Sequence, residues 1–114
     1  MLKFIGFAAL LLSTASVARE PAAVLGDMMR LQGDFKQCLI DQTAMLGAGN
    51  NEGADTILRG ASAECLPVET RLRAVYAEMD ILSPARIENL MQRDRTLGEN
   101  EGISVLLRSR AARH

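Results

Sequence analysis

Cys38 and Cys65 are the only cysteines of this 114-residue chain and its most reactive side chains. Such a pair can exchange thiols, hold a metal or form a structural disulfide. Exchange sites usually keep their cysteines close, as C-x-x-C, whereas these stand far apart along the chain. A zinc site takes about four ligands, and the single histidine is the terminal residue, His114. The structural disulfide is therefore favoured, provided that the chain reaches an oxidising compartment.

The N-terminal residues point to such a compartment. Lys3 precedes the short apolar run F-I-G-F-A-A-L-L-L, and S-V-A at 16–18 places small residues before Arg19. Charge, apolar run and small-residue site occur in the order of an export signal, with cleavage expected between Ala18 and Arg19. The run is far shorter than the roughly 20 apolar residues that a membrane span needs. Residues 1–18 are thus expected to be a signal peptide, and residues 19–114 a single small helical domain outside the cytoplasm, periplasmic or secreted.

Composition narrows the function classes. Thirteen Lys and Arg against 14 Asp and Glu give a formal charge of −1, and loss of Lys3 makes it one unit more negative. That balance carries no footprint for nucleic acid. Three arginines in L-R-S-R-A-A-R-H, residues 107–114, are expected at a solvated, frayed end. Ser–His and Cys–His schemes lack a base apart from His114. A copper site is the chemical reading of Met28, Met29, Met45, Met79 and Met91, but three of them fall at core spacing, so packing is favoured. No catalytic residue, cofactor or metal site is expected, and the chain is not expected to be an enzyme.

Helices must position the cysteines. Val24, Met28, Leu31, Phe35, Cys38, Gln42 and Met45 alternate steps of four and three, the stripe of a core-facing helix. Pro21 suits its first turn. G-A-G-N-N-E-G, residues 47–53, turns the chain; it lacks the Lys-Ser/Thr ending of a phosphate loop. A second stripe, Ala54, Leu58, Ala61, Cys65, Val68, Leu72, Val75, Met79 and Leu82, keeps its phase through Pro67. One helix over 54–82, or two nearly coaxial pieces, with a kink at Pro67 is expected, and a separate helix starting at Pro67 is the alternative.

Setting Cys38 opposite Cys65 fixes an antiparallel register that pairs Phe35 with Val68, Leu31 with Leu72 and Met28 with Val75. Toward the turn it pairs Gln42 with Ala61 and Met45 with Leu58. Ser83 and Pro84 announce a third helix, with Ile87, Leu90, Met91 and Leu97 on its apolar side. Gly98 in L-G-E-N-E-G is expected to end it. A short fourth helix through Ile103, Leu106, Leu107 and Arg110 would follow, with a short strand I-S-V-L-L as its alternative. The fold class is all-α: a disulfide-linked antiparallel helical hairpin with one or two further short helices packed on it.

C-L-I-D-Q-T-A followed by A-D-T-I-L-R-G-A-S-A-E-C-L-P-V-E-T-R-L resembles a loose group of small exported bacterial two-cysteine helical-hairpin proteins. The matching positions are Cys38, Ala44, Ala54, Asp55, Ile57, Ala61, Cys65, Glu69 and Leu72, within about residues 34–76. The resemblance implies a disulfide-linked helical hairpin and no assigned activity; Pro67 departs from the group's uninterrupted second helix.

The expected function is that of a non-enzymatic exported protein-binding or structural helical protein of the cell envelope, of inhibitor, immunity or chaperone-like kind. The alternative is a small-ligand or enzymatic role in a cleft between the hairpin and the third helix, near Gln42 and Tyr76. A protein partner is expected, nucleic acid and a membrane span in the processed chain are not, and the partner's identity and the oligomeric state are not fixed by the sequence.

Overall fold

A computed structural model describes residues 19–112, so the expected signal segment, with Ala18, and the terminal His114 lie outside the described residues. Four helices follow in order: α1 (Pro21–Gly47), α2 (Ala54–Glu64), α3 (Leu66–Ala77) and α4 (Pro84–Ala112). Among the described residues there is no strand, and the I-S-V-L-L segment lies within α4. No described helix is long and apolar enough to cross a membrane.

The hairpin forms as the stripes demand. Pro21 opens α1, where its missing N–H is no loss. Gly49 turns the chain at φ +74°, a conformation glycine adopts without strain. The sulfurs of Cys38 and Cys65 form a disulfide with their Cα atoms 5.9 Å apart. Leu31, Phe35, Ala61, Cys65, Val68 and Leu72 share one buried core. Phe35 and Leu72 are completely buried, which is worth roughly 1.5–3 kcal/mol for each side chain.

The second helix divides, but not at the proline. Cys65 alone separates α2 from α3, with φ −93° and ψ 5°. Its N–H still reaches the Ala61 carbonyl at 3.0 Å, and its carbonyl accepts from the Glu69 N–H at 3.0 Å. The break is therefore a kink in a nearly continuous rod, two residues before Pro67 and inside the turn where the proline leaves the Ala63 carbonyl without its usual donor. α3 ends at Ala77 rather than Leu82. The chain then runs through short turns to Ser83, whose position before a proline disfavours helix. Ser83 accepts the Arg86 N–H at 3.2 Å and starts α4 as its sequence suggested.

The largest departure is α4, a single 29-residue helix where a break at Gly98 and one or two short helices were expected. Gly98 and Gly102 do not end the helix; they let it touch α1. A Cβ on Gly98 would meet Leu39 Cδ1 at 2.7 Å and Leu39 Cβ at 3.2 Å. One on Gly102 would meet Thr43 Oγ1 at 3.0 Å and Cβ at 3.1 Å, and one on Gly47 would strike Leu106. Leu39–Gly98, Thr43–Gly102 and Gly47–Leu106 advance in the same direction, so α1 and α4 run parallel. The bundle is up-down-up, with α4 packed most extensively on α1.

This contact also turns the buried stripe of α1. Thr43 is completely buried and Met45 is 65% exposed, the reverse of the expected seam, because α4 covers the Leu39–Gly47 side. At the far end Arg110 donates from Nη2 to the carbonyls of Asn50 (3.2 Å) and Glu52 (3.0 Å). Arg110 thus ties the α1–α2 turn and is not part of a frayed end.

Thr43 Oγ1 has no hydrogen-bond partner in its buried position. An unpaired buried hydroxyl costs about 1–3 kcal/mol. Thr43→Val keeps the shape and removes that penalty, so it is expected to raise the unfolding free energy by about 1 kcal/mol. Urea titration of the two proteins checks this; a less stable Thr43→Val protein would show that the hydroxyl is paired.

Candidate functional site

Below the Gly98 contact α1 and α4 part, and three helices enclose a polar cluster. Gln32 comes from α1, Tyr76 from the last turn of α3 and Asp94 from the middle of α4. Tyr76 and Asp94 are 1% and 7% exposed. The Tyr76 hydroxyl donates to Asp94 Oδ2 at 2.5 Å and accepts from Gln32 Nε2 at 2.7 Å. Arg93 donates to Asp94 Oδ1 at 3.1 Å. Both carboxylate oxygens are thereby engaged, which offsets the cost of taking them out of water.

Burial, with the Asp94 carboxylate beside it, pushes the Tyr76 phenol up to about 12 from its ordinary 10.0. The neutral phenol is the form that the fold prefers. The raised value means that its contribution is fully present below pH 10 and is lost as the pH rises through about 12. With one tyrosine and no tryptophan in the chain, tyrosinate absorbance reports this residue alone. A midpoint near 12 in the native protein and near 10 in urea is expected, with the unfolding free energy falling between them. A native midpoint near 10 would contradict the enclosed geometry.

A second buried acid lies two turns before Tyr76 on α3. Glu69, 7% exposed, accepts from Arg95 Nη2 at 2.5 Å and lies 3.6 Å from Arg73 Nη2. Arg73 also pairs with Glu88, and the Arg95 guanidinium sits 5.9 Å from the Phe35 ring centre. Both buried carboxylates thus serve to join α3 to α4.

Above Asp94 opens a groove of about 320 Å³ between α1 and α4. Met29, Gly33 and Leu97 form its apolar part, and Lys36 and Arg93 stand at its rim. Met29 and Leu97 are 62% and 55% exposed. A second groove, between α2 and α4, is lined by Asp55, Leu58, Arg59, Ser62 and Glu99.

The residues singled out in the sequence are dispersed. Cys65 is completely buried and Cys38 half-buried, so the pair holds α1 to the α2–α3 joint. Arg19 binds Glu78 through Nε (3.0 Å) and Nη2 (2.5 Å), and Asp27 through Nη1 (2.5 Å). Those hydrogen bonds hold the Glu78 and Asp27 carboxyls below their usual range and raise Arg19. Gln42 is half-buried and lines neither groove. Gln32 is the glutamine that meets Tyr76. Among the described residues no His, Cys, Asp and Glu cluster is arranged to hold a metal ion.

Asp94 lies inside the expected third helix and at seam spacing, four and three from Ile87 through Met91, but a carboxylate carries no apolar signal and the side expected to be buried was Ile87, Leu90, Met91 and Leu97. No protein-family model matches the chain, and comparison with curated proteins and with solved structures finds no match.

Proposed function

We propose that the chain is a non-enzymatic exported protein that binds another protein in the cell envelope, as an inhibitor, immunity-type or chaperone-like partner does. The observation that carries this reading is the α1–α4 groove, where Met29 and Leu97 stand exposed beside cations rather than beside a free acid or nucleophile. Partly exposed apolar side chains gathered at a groove mark association surfaces more often than isolated ones do. Asp94 and Glu69, the buried acids nearest to it, are spent on Tyr76, Arg93, Arg95 and Arg73. The export signal expected at residues 1–18 and the disulfide support a periplasmic or secreted location.

Affinity capture of the chain from its native envelope after chemical crosslinking tests the reading. A defined partner in constant ratio is expected; recovery of the chain alone would contradict it. The groove volume of about 320 Å³ also suits a small ligand, at the low end of such sites. In that case a small molecule would co-purify and no protein would.

A further inference from the structure

Arg19 is the first residue after the expected cleavage site, and its side chain makes three hydrogen bonds. Nε and Nη2 grip the two Glu78 oxygens at 3.0 and 2.5 Å, and Nη1 reaches Asp27 at 2.5 Å. Asp27 stands on the second turn of α1, and Glu78 directly follows α3. One guanidinium therefore closes the end of the bundle opposite the α1–α2 turn. The two-pronged grip on Glu78 fixes the planar group in direction as well as distance.

The backbone beside it is committed too. The Glu20 carbonyl accepts from the N–H groups of Ala23 at 3.0 Å and Val24 at 3.1 Å. Pro21 opens α1, and Val24 already belongs to the buried core. A peptidase takes its substrate as an extended strand across the bond it cuts, so a folded chain is cleaved through locally opened forms. Extending the chain at Arg19 and Glu20 requires releasing the guanidinium from both carboxylates and the Glu20 carbonyl from the first turn of α1.

We propose that Arg19 is a latch that withdraws the Ala18–Arg19 bond from the signal peptidase once the domain has folded, so that processing precedes closure of this end. Latch and peptidase compete for one residue. In the unfolded chain Glu78 is 59 residues away along the sequence, and Arg19 is free to enter the peptidase. In the folded chain it is held. The three side chains are exposed, so the latch slows cleavage rather than abolishing it. After cleavage the same bonds hold the new first residue against the domain, where a chain end would otherwise fray. The device rests on the export reading given above.

The test follows cleavage of the full chain, residues 1–114, by the signal peptidase of its native host in detergent micelles. Phe35→Asp with Leu72→Asp puts two carboxylates at completely buried positions and supplies an unfolded reference, verified by loss of helical circular dichroism. The folded chain is expected to be cut at Ala18–Arg19 roughly tenfold more slowly than this reference. Glu78→Ala with Asp27→Ala leaves the residues beside the cleaved bond unchanged. It should raise the folded rate roughly threefold and leave the rate of the unfolded reference as it was. Glu88→Ala breaks the exposed pair with Arg73 instead and should change neither rate, which separates the latch from a general loosening. Three results would overturn the latch and leave the export reading in place: equal rates for folded and unfolded chains, no acceleration by Glu78→Ala with Asp27→Ala, or the same acceleration by Glu88→Ala. An unfolded reference left uncut at Ala18–Arg19 would overturn both.

Discussion

Gly98→Leu combined with Gly102→Leu is expected to lower the unfolding free energy by about 4 kcal/mol. Each leucine recovers about 1 kcal/mol of helix propensity. Against that, overpacking costs about 1–3 kcal/mol per site. Both sites fall at the upper end, since a Cβ on Gly98 already lies 2.7 Å from Leu39 Cδ1 and 3.2 Å from Leu39 Cβ, and one on Gly102 lies 3.0 Å from Thr43 Oγ1 and 3.1 Å from Thr43 Cβ. The remaining leucine atoms have the α1 backbone at Lys36 and Leu39 directly beyond. Gly26→Ala and Gly33→Ala meet no atom and should stabilise by up to about 1 kcal/mol each. Opposite signs for glycines in neighbouring helices make a sharp comparison by urea titration. If α4 were broken at Gly98, as the sequence first suggests, leucine there would not press on α1 and no such loss would be found.

Removing the staple should cost about as much. The disulfide closes a loop with a sequence separation of 27 residues, for which the chain-entropy relation gives about 3.5 kcal/mol. Cys38→Ala with Cys65→Ala is the cleaner form of the experiment, because a serine at the fully buried position 65 would add an unpaired hydroxyl. The loss should fall unevenly. α2 buries only Ile57 and Ala61 and lies against α1 with little contact to α4. Hydrogen exchange in α2 should therefore accelerate more than in α4. Equal protection of α2 with and without the disulfide would show that the turn and Ile57 hold it unaided.

The hairpin was legible because two stripes and two cysteines constrain the same register. Pro67 misled by only two residues: the kink falls at Cys65, where the disulfide pins the joint. Gly98 misled more, because a glycine after Leu97 carries the same local signal whether a helix stops or a neighbouring helix arrives. What separates the two cases is the second glycine four residues on, which repeats the notch one turn later. Met45 and Thr43 changed places for a related reason. The side of α1 that is buried near Gly47 depends on α4, which a periodicity confined to α1 does not contain. The Gln32–Tyr76–Asp94 cluster joins three helices, so no single stripe could disclose it. Tyr76, beside the seam residue Val75, gave half of the signal, since a buried phenol needs a partner.

The most direct test of the account, a disulfide-stapled helical scaffold exported to an oxidising compartment, is the intact mass of the protein taken from its native host and alkylated without reduction. The predicted mass is that of a chain beginning at Arg19 with no alkyl group, and with two after reduction, one for each cysteine. Retention of residues 1–18, or two alkyl groups before any reductant is added, would contradict it.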